Sequence, residues 1–414
     1  MEPDLTSNGD RARPLALRVA TFFAALFFAY GVILPYFPVW LDSRGLTPIE
    51  ISIVTSAPLF LRILFTPTAG LVADRLGDHR RVIIALAWSG LTLTLFASQL
   101  ASFWPILAVG VLLLLAVGTM LPLNETVAVA AVRAAGLDYG RMRLWGSLAF
   151  IVANFAGGLL IEAFGGSVGI WMIAAGVTGT VLAAHFLPIQ PRRAATAAKP
   201  AVPWRASLPV RLLRNRLFVL FLVATGCIHG AHATFYTFGA LHWQAQALPA
   251  FWVGTLWAIG VFAEVILFAY SAQVVARVSP VGLIALGGGI SVLRWTAMAF
   301  DPPLALLVPL QALHAVTYGA AHLGGILFIT RAVPHTGMGS AQAFYAVVAG
   351  GVALGVVGLI SGALYDALGG ATFLVAAVAA LIGSVCAVVL LRRWDGGLLC
   401  AEDEASPTAS ARAG

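Results

Sequence analysis

Nine side chains that can carry a charge lie inside long apolar stretches of this chain. They are Arg62, Glu125, Arg143, His229, His232, Glu264, Arg294, His314 and His322. An ionisable group at the centre of a bilayer costs roughly 2.5–3.5 kcal/mol on insertion scales, so such groups mark solute or ion pathways by default. Arginine binds anions, whereas carboxylates and histidines exchange protons. These residues therefore predict a path for an anion, for protons, or for both.

Five of these residues share one depth in the stretches that contain them. Each lies roughly 10–14 residues into its apolar stretch, which at a rise of 1.5 Å per residue is close to the bilayer midplane from either end. The five are Arg62, His229, Glu264, Arg294 and His314. Because random burial would not place them at the same depth, we expect them to line one central cavity.

Glu125 and Arg143 form a second candidate group. Glu125 lies deep in the apolar stretch 104–131, and Arg143 lies at the start of the next stretch, 142–163. A short turn makes the two helices antiparallel neighbours, so the carboxylate and the guanidinium can reach each other. Two interpretations stay open, a solute-binding ion pair and a structural salt bridge.

The elements that carry these residues are predicted to be membrane-spanning helices. Sixty per cent of the 414 residues are hydrophobic and 10% are charged, whereas soluble domains carry about 25% charged residues. About 20 apolar residues span a bilayer as a helix, and the dyad alternation of barrel strands is absent. The sequence thus predicts an all-α membrane protein with twelve transmembrane helices. Their expected bounds are 15–40, 49–73, 82–100, 104–131, 142–163, 168–188, 216–240, 251–273, 280–300, 304–330, 340–361 and 371–391.

The distribution of basic residues predicts the orientation of these helices. If both termini are cytoplasmic, all but Arg44, Arg62 and Arg294 of the 24 lysines and arginines fall in cytoplasmic segments or at helix ends that face them. This bias is the positive-inside pattern. We therefore predict a multi-pass protein of the inner (plasma) membrane with both termini in the cytoplasm. The net charge of +7 reflects orientation, and no nucleic-acid partner is expected.

One long polar segment divides the chain. Residues 189–215 are rich in proline, alanine and arginine, and we interpret them as a cytoplasmic linker between six-helix halves at 15–188 and 216–391. The cytoplasmic tails are then 1–14 and 392–414. An internal repeat supports duplication, because GLLIEAFGG at 158–166 is similar to GALYDALGG at 362–370, although glycine-rich helix ends can also be alike by chance. Paired halves with a solute site between them are a transporter architecture.

The loop between the second and third helices carries a recognisable spacing of glycine and charge. Gly70, Asp74, Arg75 and Gly77, followed by further basic residues, resemble the loop signature of the major facilitator superfamily. Glycine permits a tight turn and close helix approach, and Asp74 at a helix end is expected to accept hydrogen bonds that hold one closed state. The alternative is an ordinary charged loop.

The start of the fifth helix gives a more specific resemblance. Residues 139–146, YGRMRLWG, are similar to the corresponding segment of the sugar:proton and nucleoside:proton symporters. That resemblance implies that Glu125 and Arg143 bind the solute and that Phe150 stacks on it. It also implies that Glu264, Arg294 and His314 correspond to the acid, arginine and histidine of the second-half proton site.

Two departures mean that the proton scheme of the sugar carriers does not transfer intact. Thr317 stands where the sugar carrier has its essential carboxylate. The acids of helix seven are absent, and His229 and His232 stand in their region.

A closer resemblance, to the 3-phenylpropionic acid transporter family, covers nearly the whole chain. It rests on LDYGRMRLWGSLAF (137–150), GAHATFYTF (230–238), ALHWQA (240–245), GVFAEVILFA (260–269), LQALHA (310–315) and SGALYDALG (361–369). The resemblance implies secondary active transport by alternating access, in the form of proton symport of a small aromatic or related organic acid. Sugar or nucleoside proton symport is the alternative within the same fold.

The charge balance of the helices fits an organic anion. Arg62, Arg143 and Arg294 outnumber Glu125 and Glu264, so protonation of Glu264 would leave two arginines without partners. An arginine binds a carboxylate through two parallel hydrogen bonds, and we expect ionised Glu264 to neutralise Arg294.

Aromatic faces for the solute come from several of the same helices. Tyr236 and Phe150 are the candidates that complete the solute-binding set, together with His232; Trp257 and Tyr318 offer further faces. Glu264 and His314 remain the proton-coupling candidates.

Several other protein classes are excluded by missing residues. The only lysine, Lys199, belongs to no phosphate-binding loop and cannot form a helix-centre Schiff base. HExxH is absent and the three cysteines are scattered. We expect no cofactor, no metal and no enzymatic activity, and we expect a monomer whose partners are a small-molecule solute, protons and the bilayer. An intramembrane enzyme of unfamiliar type and a non-transporting sensor stay open as alternatives from other classes.

Overall fold

The computed structural model describes residues 5–189 and 208–400. Within these ranges every regular element is helical. Most of the predicted linker and of the predicted C-terminal tail lies outside the described residues, whereas residues 5–14 of the predicted N-terminal tail belong to the first helix, Leu5–Ser43. The domain boundaries stay a prediction.

Twelve long helices account for most of the described chain. Eleven stretches are long and apolar enough to cross a membrane, and the last of them, His335–Arg393, turns back at Gly369–Thr372 and therefore crosses twice. The predicted all-α fold with twelve transmembrane helices is confirmed. The helices are α1 (Leu5–Ser43), α2 (Pro48–Leu76), α3 (His79–Ala97), α4 (Phe103–Ala135), α5 (Tyr139–Phe164), α6 (Gly169–Phe186), α7 (Arg216–Ala245), α8 (Ala250–Ala269), α9 (Pro280–Met298), α10 (Leu304–Ala332), α11 (338–368) and α12 (Phe373–Arg393).

Three of the helices are not regular, which their apolar sequence does not reveal. The α7 helix is interrupted at Ala231. The α10 helix contains a π-helical turn at Ala315–Ala320, and α11 contains one at Val348–Val352. An extra residue in a turn rotates the side chains that follow it, and such turns occur frequently at functional sites.

The last part of the predicted linker is itself folded. Leu208–Arg214 forms a short helix whose Leu208 and Leu212 are buried. Leu208 packs beside Gly337, so this segment belongs to the packed second half rather than to a free connection.

Only one glycine of the α2–α3 signature shapes the turn in this conformation. Gly77 ends α2 in the left-handed region, with φ of 65°, where glycine carries no steric cost. Asp78 then caps α3 by accepting from the backbone N–H of Arg81. A side chain at Gly70 would meet nothing within 4 Å, so the close helix approach expected there is not present.

The described contacts between the two halves lie largely at one end of the bundle. We call the end where α1 and α7 begin the near end, and the end where α1 turns into α2 the far end. At the far end, Ser52 donates to the carbonyl of Gly358 at 2.9 Å, and the carboxylate of Glu162 accepts from the backbone N–H of Phe251 at 2.9 Å. The far end is therefore closed.

Glycines let the helices of the two halves meet at backbone distance there. A Cβ on Gly254 of α8 would collide with the backbone carbonyl of Asn154 on α5, and would lie 2.8 Å from the hydroxyl of Tyr36. At the near end, by contrast, Asp74 is 69% exposed and pairs with His79 of its own half.

Enlarging Gly254 should prevent closure of the far end. We expect Gly254→Leu to reduce disulfide crosslinking between cysteines placed at Glu162 and Phe251 several-fold, because the new side chain collides with backbone that cannot rotate away. Crosslinking yield in purified protein lacking the native cysteines measures this. Gly289→Leu is the matched control, since nothing lies within 4 Å of that position. Equal crosslinking in both variants would contradict the closed interface.

Candidate solute and proton site

Arg294 on α9 is a fully buried cation without an anionic partner. Its guanidinium donates to Thr317 Oγ1 at 2.9 Å and to Gln311 Oε1 at 2.7 Å. It also lies over the rings of Trp295 (4.4 Å) and Phe235 (5.5 Å). No carboxylate among the described residues lies within 4.0 Å of it. An uncompensated buried charge is strongly destabilising, so Arg294 depends on these neutral neighbours for its stability.

His314 lies between Arg294 and Glu264. Its Nδ1 is 3.4 Å from Arg294 Nη1, and its Nε2 is 3.7 Å from Glu264 Oε2. A guanidinium can only donate, so Nδ1 is the acceptor and Nε2 of the neutral ring carries the proton. The structure therefore corrects the expected direct neutralisation of Arg294 by Glu264. The ring of His314 lies between the two charged groups and is within 4 Å of each.

His232 lies behind this group and is completely buried. Its Nδ1 is 3.1 Å from the carbonyl of Ile228, so it donates there, and its Nε2 accepts from Thr317 Oγ1 at 3.2 Å. Thr317 thus accepts from Arg294 and donates to His232. In this conformation His232 supports the arginine through Thr317 and presents no free face to a solute.

Gln311 and Thr317 were not among the predicted site residues. In the sequence, Thr317 stands out only for the carboxylate that it lacks, and Gln311 only as part of the motif LQALHA. The available signal was their spacing, since residues 311, 314 and 317 recur every three positions, which keeps them near one face of α10. Neutral polar side chains in a membrane helix carry a weaker signal than charges.

Glu125 and Arg143 of the first half are linked through a third residue, Tyr139. Tyr139 donates to Glu125 Oε2 at 2.5 Å and lies within electrostatic range of Arg143. The guanidinium of Arg143 lies over Phe27 at 3.7 Å and Phe23 at 5.7 Å. Glu125 and Arg143 make no ion pair within 4.0 Å, because the tyrosine occupies the space between them.

Arg143 connects the two groups across the interface between the halves. Helices α5 and α8 pack together, and the charges of Arg143 and Glu264 lie within range of each other. One Nη of Arg143 is buried without a hydrogen-bond partner. Tyr30 and Tyr318 lie within range of both Arg143 and Arg62. The structure therefore brings the predicted residues of both halves to one central region.

The two predicted aromatic faces differ in position. Tyr236 is partly exposed, lies beside Trp257 at 5.8 Å, and is within range of Glu264 and Arg294. Phe150 is 7% exposed and packs in the core of the first half, where its backbone meets Gly31. Tyr236 thus keeps a partly exposed face, whereas Phe150 is enclosed in this conformation.

A family model that describes the MFS_1 like family matches residues 16–375. The chain belongs to this family of major facilitator transporters. It is 34% identical over 375 residues to the "Probable 3-phenylpropionic acid transporter" of Escherichia coli (strain K12), covering 89% of this chain and 95% of the relative. It is 28% identical over 380 residues to the "Maltose permease" of Geobacillus stearothermophilus, covering 90% and 93%.

The solved structures give the same fold. The crystal structure of the nucleoside transporter NupG superposes with a TM-score of 0.77 at 18% identity, covering 91% of this chain and 98% of that one. Since these relatives and neighbours are transporters, this major facilitator protein is a multi-pass membrane transporter of small-molecule solutes, and the expectation that it is not an enzyme is confirmed.

The Glu125–Tyr139–Arg143 group should respond to mutation as one unit. Removing either charge leaves the other partly buried and uncompensated, so Glu125→Ala and Arg143→Ala should each lower the free energy of unfolding by about 1–3 kcal/mol. The double variant should lose less than the sum. Thermal unfolding in detergent measures this, with Tyr139→Phe as the test of the bridge and exposed Tyr270→Phe as its control. Additive losses would show that the three residues are independent.

Proposed function

We propose that this transporter couples proton movement to uptake of a small aromatic carboxylate, similar to 3-phenylpropionate, by alternating access. The observation that carries the proposal is the row of neighbouring side chains Glu264–His314–Arg294. It joins a group that can exchange protons to a buried cation that can bind a carboxylate, with one histidine ring between them.

This row of side chains supplies a local mechanism that couples proton binding to solute binding. While Glu264 is ionised, its charge acts on the Nε2–H of His314 and compensates the positive field around Arg294. When Glu264 takes up a proton, that compensation is lost, and an anion bound to Arg294 becomes more favourable. When Glu264 releases the proton, its carboxylate opposes the bound anion. Proton and solute therefore bind together and leave together.

The contacts between the halves support the direction of access. The far end is closed, and the basic residues favour an orientation with the near end and both termini in the cytoplasm. We assign the structure to an inward-facing conformation of a monomer in the inner membrane. Rocking of the halves 15–188 and 216–391 about the central site would open the far end. Asp74, released from the second half here, would then gain partners across the closed near end, helped by Gly70, Arg75 and Gly77.

The surroundings of Arg294 support the proposed solute class. Trp295, Phe235, Tyr236 and Trp257 form a continuous aromatic group, with ring centroids 4.6–6.1 Å apart between neighbours within it. Tyr236 is the partly exposed edge of this group, and the other three rings are buried behind it. An aromatic edge of this kind suits an aromatic ring, while Arg294 and Arg143 suit its carboxylate. The name of the E. coli relative is consistent with this class.

A sugar or nucleoside is the second candidate solute. Gln311 and Thr317 are neutral hydrogen-bonding groups of the kind that bind hydroxyls, and the Geobacillus stearothermophilus relative is named a maltose permease. Competition experiments decide between the two solute classes.

Glu264→Gln should uncouple the transporter. The amide keeps the size of the side chain but cannot exchange a proton, so we expect solute exchange between equal compartments to persist while accumulation driven by a pH gradient is abolished. Uptake of labelled 3-phenylpropionate into proteoliposomes measures both. The control is Asp366→Asn, an exposed acid at the far end of α11. Normal accumulation in Glu264→Gln would move the proton site elsewhere, with His314 as the next candidate.

Arg294→Lys should weaken transport of an acid while leaving the protein folded. Lysine keeps the charge but loses the planar arrangement of donors, which at about 1.5–3 kcal/mol for a charged hydrogen bond predicts a rise in apparent KM of roughly tenfold to a hundredfold. In the unmodified transporter, aromatic carboxylates should compete for uptake and their amides should not. If amides, sugars or nucleosides compete equally well, the solute is not an organic acid.

A further inference from the structure

A second group of ionisable side chains lies beside the proposed proton site and has no part in it so far. We call it the histidine–tyrosine cage: His229 on α7, Tyr318 and His322 on α10, and Tyr345 on α11. The ring of His229 lies edge-on to those of Tyr318 (5.0 Å), His322 (6.2 Å) and Tyr345 (6.0 Å). Three helices of the second half thus direct these rings at one point.

One nitrogen of His229 has no hydrogen-bond partner in the part of the chain that the structure describes. Its Nδ1 lies 2.8 Å from the carbonyl of Thr225, one turn earlier. A carbonyl can only accept, so Nδ1 carries the proton and Nε2 presents a lone pair. That Nε2 is buried without a partner, on a residue that is 3% exposed. Burying such an atom costs free energy, and a group of this kind calls for a specific explanation.

The backbone around the cage is irregular in two helices at once. Tyr318 lies within the π-helical turn of α10, and Tyr345 lies three residues before that of α11. Val348, the first residue of the second turn, packs against Gly226 of α7. Two neighbouring π-helical turns that flank one unpartnered histidine indicate a site, since such turns are frequent where function requires them.

The cage is continuous with the Glu264–His314 site. The rings of His314, Tyr318 and His322 stack along α10, with centroids 5.2 and 6.2 Å apart and planes within 14° of parallel. Glu264 packs against Gly319, beside Tyr318. At 1.5 Å per residue, His322 lies about 12 Å closer to the near end than His314. The column therefore leads from the proton site toward the near end.

We propose that Nε2 of His229 is a second proton-binding site, through which the proton leaves Glu264 toward the near end. The inference rests on the proposed symport. The Glu264 carboxyl gives up its proton through water and becomes a carboxylate, while His229 accepts it at Nε2 and becomes an imidazolium. His229 then releases the Nε2 proton to water beside His322 and returns to its neutral form, with Nδ1 still donating to Thr225.

The groups that face His229 suit a positive charge that its ring carries for a short time. Tyr318 and His322 face it from α10, and Tyr345 faces it from α11, where its hydroxyl is 3.0 Å from His322 Nδ1. On α7 itself the neighbouring ionisable groups are Cys227 and His232. His314 lies within electrostatic range of His229, with Arg294 of α9 behind His314, and α12 packs Gly383 against the backbone of the same stretch of α7.

The test separates proton release from solute binding. In proteoliposomes loaded at internal pH 6 to 8, His229→Asn should keep 3-phenylpropionate exchange at the unmodified rate, because exchange needs no proton release. In this variant Glu264 must release its proton directly to water, so net uptake driven by a pH gradient should fall on the order of tenfold at internal pH 7. Net uptake should recover as the internal pH rises, because a higher pH favours direct release. His229→Gln provides a second variant if asparagine impairs folding.

The control is His185→Asn. His185 lies at the near end, where its Nε2 already accepts from Trp88, so both assays should match the unmodified protein. If His229→Asn shows the unmodified dependence on internal pH, or loses exchange and net uptake equally, His229 is not a proton site although symport stands. If the unmodified protein shows no uptake driven by a pH gradient, the proposed symport fails first and the second proton site fails with it.

Discussion

The guanidinium of Arg294 is the constraint on which the centre of this transporter depends. It is a full charge at zero exposure inside a protein that lies in lipid, and the ligands that surround it here are neutral. Each neighbour serves to make that burial tolerable. Gln311 and Thr317 take its hydrogen bonds, Trp295 and Phe235 offer the negative faces of their rings, and His232 supports Thr317 from behind. The arrangement lowers the cost of the charge without removing it, which keeps the site receptive to an anion.

Both halves follow one scheme around an arginine. In the first half Tyr139 separates Glu125 from Arg143, and in the second half His314 separates Glu264 from Arg294. A ring with a hydrogen-bonding atom prevents the tight ion pair that would neutralise the arginine permanently. A carboxylate solute would have to compete with any carboxylate already bound to the guanidinium. Under the proposed function, this separation would therefore make binding and release of an anion reversible.

The two ends of the bundle are built for different behaviour. At the far end, glycines on α5, α8 and α11 let the halves approach to backbone distance, and few side chains need to rearrange for closure. At the near end, Asp74 stands exposed on a turn that Gly77 makes possible. The central site lies between the tight contact at the far end and the open near end. The π-helical turns of α10 and α11 lie in the part of the second half between these two ends.

The sequence by itself determined the class of protein, the number of helices and the list of charged residues that need an explanation. These features depend on local quantities, namely the length of apolar runs and the cost of a charge in lipid, which can be read along the chain. It also predicted that five of them, Arg62, His229, Glu264, Arg294 and His314, share a depth. Which residue touches which was decided by the tertiary structure, because the partners lie on different helices and their contact depends on helix rotation. Apolar sequence on all sides does not fix that rotation. The placement of His314 between Glu264 and Arg294, the roles of Gln311 and Thr317, the enclosure of Phe150 and the unpartnered nitrogen of His229 all follow from packing against helices far away in the chain. The two π-helical turns belong with them, since an extra residue in a turn is stabilised by its surroundings and has no periodic signal of its own.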